Sequence, residues 1–99
     1  MERIIELIEI KTLKLKNKLG MHARAAAAFV KIAQQFKADV FIERNGQTVN
    51  GKSILGILTL ACPNGGMLTL RVEGEDALAA LEQLEKLIEN KFGEDWILR

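Results

Sequence analysis

Asp39-Val40-Phe41-Ile42-Glu43-Arg44-Asn45-Gly46-Gln47-Thr48-Val49-Asn50 is the stretch on which the fold turns. Two β-type runs flank Asn45-Gly46. Asn-Gly between such runs is the strongest short hairpin signal, because the tight turn needs positive φ at both central residues. The hairpin also decides a motif that overlaps it. Residues 46–53, Gly-Gln-Thr-Val-Asn-Gly-Lys-Ser, satisfy G-x-x-x-x-G-K-[ST], the pattern of nucleotide-binding P-loops. That chemistry needs a loop between a buried strand and a helix, with amides cradling phosphate. Here the first glycine belongs to the turn and Thr48-Val49 reads as strand. The match is accidental on this reading.

Upstream, residues 10–17 read as a strand, with Ile10, Leu13 and Leu15 separated by Lys and Thr. Arg3 to Ile8 fit either period and extend that strand or form a short helical lead-in. Asn17-Lys18-Leu19-Gly20-Met21-His22 reads as a turn. Residues 23–36 read as an Ala-rich helix, with Ala26, Phe29, Val30, Ala33 and Phe36 at helical spacing. Downstream, Ser53 caps a short apolar helix from Ile54 onward, and Cys62-Pro63-Asn64-Gly65-Gly66 forms a loop. Residues 67–73 alternate as a strand. Residues 75–92 form an amphipathic helix with Ala77, Leu81, Leu84 and Ile88 on one stripe. The expected order is β-α-β-β-α-β-α, an α+β arrangement with helices on one face of an antiparallel sheet. Residues 93–99 read as a loose tail.

Such a chain of 99 residues is one domain, residues 1–99, too small for a substrate chamber built between two lobes. Fourteen Lys and Arg against 13 Asp and Glu give no general attraction to nucleic acid or anionic membrane. A single cysteine, Cys62, excludes an intrachain disulfide scaffold and reads as a small filler. The acidic start does not resemble a signal peptide, and the longest near-apolar run is too short for a membrane span. The expected location is the cytoplasm. Charge is nevertheless uneven. Residues 10–38 hold seven bases and no acid, whereas residues 73–95 hold eight acids against Lys86 and Lys91. Two solvated faces would explain this, with the acidic last helix turned away from the basic third. The sharper reading is a positive end that meets an anion or acidic partner.

One constellation carries chemistry. His22 lies at or beside the N-cap of the first helix, where the leading amides have no intrahelical partners and the dipole is positive. That environment favours an uncharged, nucleophilic imidazole. A phosphoryl group on the ring would rest on the amides of Ala23, Arg24 and Ala25, and the Arg24 guanidinium can fork onto the same oxygens. No second His and no nearby Cys accompany His22, so no metal site is expected. A lone histidine is more often structural, and only this position changes the odds. Ser53 is explained by capping alone, although phosphorylation at a helix start would change surface charge without unfolding. Ile54, Leu55 and Leu58 exceed what one short helix can hide, and any exposed remainder would form a docking patch.

At the motif level the chain resembles HPr, the histidine-containing phosphocarrier family of the bacterial phosphotransferase system. Asn17-Lys18-Leu19-Gly20-Met21-His22-Ala23-Arg24-Ala25-Ala26 is similar to the active-site segment. Val49-Asn50-Gly51-Lys52-Ser53-Ile54-Leu55-Gly56-Ile57-Leu58-Thr59-Leu60 is similar to the regulatory-serine segment, and the likeness covers about residues 10–95. The resemblance implies an open-faced β-sandwich of four antiparallel strands and three helices. It implies a phosphoryl group accepted on Nδ1 of His22 from phosphoenolpyruvate-charged enzyme I and passed to enzyme IIA-type acceptors, with Arg24 stabilising it. It implies modification of Ser53 by HPr kinase/phosphorylase, reversing the plain-cap reading, and docking through Met21, Ile54, Leu55 and Leu58. The carrier would be a monomer without cofactor, a relay substrate rather than a small-molecule enzyme. Its acceptors would serve sugar uptake or a regulatory nitrogen or metabolic branch.

Two departures stand out. Ala25 occupies a place where many members have proline, which adds an amide donor to the first turn. Residues 1–9 form a longer N-terminal extension than usual. The alternative is a regulatory binding module that acts through phospho-Ser53 on a transcriptional regulator or enzyme, with His22 vestigial.

Overall fold

The computed structural model describes residues 7–98, with side chains described as far as Glu94. The hairpin forms as the sequence predicts. β2 (Asp39–Arg44) and β3 (Gln47–Asn50) pair antiparallel with Arg44 opposite Gln47. Asn45 and Gly46 take φ of 52° and 81°, the two positive values that a tight two-residue turn of this hand requires. Residues 46–53 therefore run as turn, strand and helix cap. The Lys52 ammonium donates to the Phe36 carbonyl oxygen at 2.9 Å, and no phosphate cradle is formed.

The other strands are β1 (Ile8–Lys14) and β4 (Met67–Glu73), and the sheet order is β1-β4-β2-β3 with every pair antiparallel. Alternation sorts the strand residues by face. Val40, Ile42, Leu68, Leu70 and Val72 are buried under the helices, while Ile10 and Met67 stay exposed. The helices are α1 (Ala23–Ala33), α2 (Ile54–Thr59) and α3 (Ala77–Glu89). On α1 a single stripe of Ala25, Ala26, Phe29, Val30 and Ala33 is buried. Phe29 is wholly enclosed, so Phe29→Ala would cost about 3–5 kcal/mol. On α3 the buried stripe is Ala77, Ala80, Leu81, Leu84 and Ile88.

Several boundaries move. β1 ends at Lys14, because Leu15 leaves its neighbour strand to pair with the loop at Gly65 and Gly66. α3 begins two residues later than expected, because Asp76 turns its carboxylate onto the amides of Lys37 and Ala38, at 2.9 and 2.8 Å. Ile8 and Glu9, counted with the N-terminal extension, belong to β1. Leu7 precedes the strand and its carbonyl oxygen accepts from Gly74 N at 2.9 Å, while residues 1–6, the greater part of the extension and of the Arg3-to-Ile8 lead-in, lie outside the described residues.

The larger correction concerns the tail. Residues 93–98 are not loose in the structure: Lys91–Leu98 form a 3-10 segment in which Lys91, Phe92 and Gly93 adopt left-handed conformations. That reversal carries Glu94 into the molecule, where it is only 5% exposed. Charge is corrected too. The acidic last helix faces the basic third rather than turning away, since Lys11 pairs with Glu85 and Lys16 with Glu89, each at 2.6 Å. No helix among the described residues is long and apolar enough to cross a membrane.

Candidate phosphoryl-accepting site

The site is built on a turn tied to the 62–66 loop and to Asn17. Gly20 has φ of 67°, and a Cβ there would stand 2.6 Å from the Cys62 carbonyl oxygen. Glycine is thus required twice, for conformation and for close approach. Met21 N donates to the same Cys62 oxygen at 2.9 Å, which pins the turn to the 62–66 loop. Inside the turn the fully buried Asn17 donates its side-chain amide to the Gly20 carbonyl oxygen at 2.6 Å, and Asn64 donates to the Asn17 carbonyl oxygen at 2.9 Å. The Cys62 thiol is buried, and burial pushes it above its ordinary range against the opposing charge of Arg44.

His22 is the N-cap of α1, with extended backbone at φ −92° and ψ 178°. Its carbonyl oxygen accepts from Ala26 N at 2.8 Å, the first bond of the helix, and its Nδ1 accepts from Arg24 N at 3.3 Å. The leading amides of Ala23, Arg24 and Ala25 precede that first bond. Arg24 is exposed at the same helix end and Ala25 is buried. The ring of His22 is 24% exposed, and its Nε2 lies 2.8 Å from Oε2 of Glu94.

Glu94 is the residue that sequence reasoning missed. Its carboxylate also accepts from Asn17 Nδ2 and, at 3.3 Å, from Leu19 N. Burial alone pushes this carboxyl up. The hydrogen bonds from Asn17, His22 and Leu19 outweigh burial and hold it below the usual range. Glu94 is therefore ionised at neutral pH and can only accept hydrogen bonds.

Ser53 is the N-cap of α2, and its Oγ accepts from Gly56 N at 3.0 Å. It belongs to a different helix from His22, although α1 packs on α2. Of the expected docking residues, Leu55 is 77% exposed, Ile54 is exposed, and Leu58 packs half-buried against the core. Met21 does not join them. It is only 5% exposed and belongs to the core, because the pinned turn directs it inward.

The family model for the PTS HPr component phosphorylation site matches residues 10–90. The chain belongs to the HPr family. The phosphocarrier protein HPr of Xylella fastidiosa is 41% identical over 83 residues, which are 84% of this chain and 93% of that protein. HPr-like protein Crh of Bacillus subtilis is 42% identical over 79% of this chain and 92% of its own. Among solved structures, an HPr from Thermoanaerobacter tengcongensis matches with a TM-score of 0.85 at 42% identity, over 88% of this chain and 98% of that one. A B. subtilis Crh structure, described as a dimer with a swapped domain, matches with a TM-score of 0.69 at 42% identity, over 80% and 91% of the two chains. An HPr phosphocarrier fold thus surrounds the helix end where His22 sits.

Proposed function

We propose that the chain carries a phosphoryl group on His22, taking it from phosphoenolpyruvate-charged enzyme I and passing it to enzyme IIA-type acceptors. The observation that supports this most is the position of His22 as N-cap, with Nδ1 toward the first-turn amides and Nε2 on an ionised carboxylate. A phosphate on Nδ1 takes the place of the cap. It accepts from the amides of Ala23, Arg24 and Ala25 and is neutralised by the Arg24 guanidinium and the helix dipole. The group is held by contacts that are easily exchanged, which suits a relay.

Partners grip the exposed apolar residues of α2, Leu55 and Ile54, with Leu58 at the edge. An apolar patch of this kind lets several larger proteins use one surface in turn. Modification of Ser53 by HPr kinase/phosphorylase places two negative charges beside that patch while leaving α2 capped, so docking weakens without unfolding. A monomer in the cytoplasm is part of this reading. Dimeric relatives make the state worth measuring, and sedimentation at micromolar concentration does so. The carrier assignment is tested by incubation with phosphoenolpyruvate and enzyme I. His22 is expected to acquire an acid-labile, base-stable phosphate.

A further inference from the structure

We infer that Glu94 decides which nitrogen of His22 takes the phosphoryl group. Its buried carboxylate holds the Nε2 proton, so Nδ1 alone carries a lone pair. The group transferred rests on the carrier reading above; the tautomer rests on geometry alone.

Three donors converge on the Glu94 carboxylate, from Asn17, Leu19 and His22, at a position only 5% exposed. An ionised carboxylate has no hydrogen to give, so the 2.8 Å contact requires the proton on Nε2. A neutral imidazole carries one N–H, which leaves Nδ1 as the acceptor. The bond from Arg24 N to Nδ1 reports the same tautomer from the opposite side of the ring. Two partners on two elements therefore agree. Carboxylates fix neighbouring imidazoles in this way in catalytic triads and beside metals.

The transfer then balances without proton movement. The Nδ1 lone pair forms the new N–P bond while the donor's bond to phosphorus breaks, its electron pair leaving with the donor. The Nε2 proton stays in place, and the ring becomes cationic opposite Glu94. Arg24 on α1 supplies the opposing cation beside the phosphate, and the first-turn amides complete the surroundings. Passing the group onward reverses each step. Glu94 never meets the phosphate; it is a positioning residue that acts through the ring.

The test begins with the wild-type protein labelled with 15N-histidine. The His22 ring is expected to show a lone-pair-type Nδ1 and a protonated Nε2. A ring protonated mainly on Nδ1 overturns the inference without any variant. Glu94→Ala and Glu94→Gln are then treated with phosphoramidate, a small phosphoryl donor that brings no protein to orient the ring, and the phosphohistidine isomers are separated by 31P NMR. Wild type is expected to give the Nδ1 isomer alone and Glu94→Ala a mixture with Nε2. Glu94→Gln, which keeps an acceptor oxygen without the charge, falls between. The same single isomer in all three proteins overturns the inference. Failure of enzyme I to label wild type, with the tautomer as described, would remove the carrier reading and leave the role of Glu94 intact.

Discussion

Arg24 donates its backbone N–H to Nδ1 of His22 at 3.3 Å, so the atom that caps α1 is the atom on which the proposed chemistry occurs. Phosphorylation must replace that cap with phosphate oxygens, which are stronger acceptors for the same amides. The amide resonances of Ala23, Arg24 and Ala25 should therefore shift most on phosphorylation, and hydrogen-exchange protection along α1 should be kept. Loss of protection in the first turn would show that the phosphate does not take over the cap.

His22→Asn separates capping from chemistry. Asparagine is among the best N-caps, so α1 should remain capped. The buried Glu94 carboxylate loses one donor, however, at a cost of about 1–2 kcal/mol. Thermal unfolding should show a folded protein with a modestly lowered Tm. Stability equal to wild type would mean that the 2.8 Å contact to Glu94 contributes nothing.

The hairpin, the α1 cap and the Ser53 cap were legible in sequence because each is set by residues a few positions apart. Asn45-Gly46 can make only a small set of turns, and Ser53 reaches Gly56 within one helical turn. The partner of His22 was not legible. Glu94 lies 72 positions away and arrives only through the left-handed run at Lys91, Phe92 and Gly93. Such conformations at Lys and Phe run against local preference and are held by tertiary packing, so the segment read as a loose tail. The burial of Met21 is hidden from the sequence for a related reason. The residue sits in a turn with no periodicity to say which way an apolar side chain faces.

Ser53 makes a second cap prediction. Ser53→Ala should lower stability by about 1 kcal/mol, because Gly56 N loses its acceptor. Ser53→Asp should keep the cap and the stability yet slow phosphoryl transfer to His22 by placing charge beside Ile54 and Leu55. Equal transfer rates in Ser53→Asp and wild type would separate Ser53 from the relay.

Stability should also depend on acid through two carboxylates. Asp76 is held below its usual range chiefly by the Lys37 amide, with burial acting against it and the Ala38 amide and the Lys52 charge assisting. Glu94 is lowered as well, its hydrogen bonds outweighing burial. A carboxyl lowered by folding stabilises the native state above its unfolded pKa, and that contribution disappears as pH falls through the folded value. The Tm should therefore fall as pH drops from about 5 through the carboxylate range. Asp76→Asn should flatten that dependence. An unchanged slope in that variant would show that the Lys37 and Ala38 amides do not favour the charged form.

Leu55 is 77% exposed, so Leu55→Asp should leave the Tm within about 0.5 kcal/mol of wild type in stability terms. The same change should weaken binding to enzyme I at least tenfold by calorimetry, a loss of about 1.4 kcal/mol. Unchanged affinity would move the docking surface away from α2.

The most direct test of the central claim is 31P NMR of wild type and His22→Asn, each incubated with phosphoenolpyruvate and a catalytic amount of enzyme I. The account predicts one phosphohistidine resonance in wild type, on Nδ1 of His22, stable in base, lost in acid and absent from the variant. No resonance in wild type, or one that persists in His22→Asn, would contradict it.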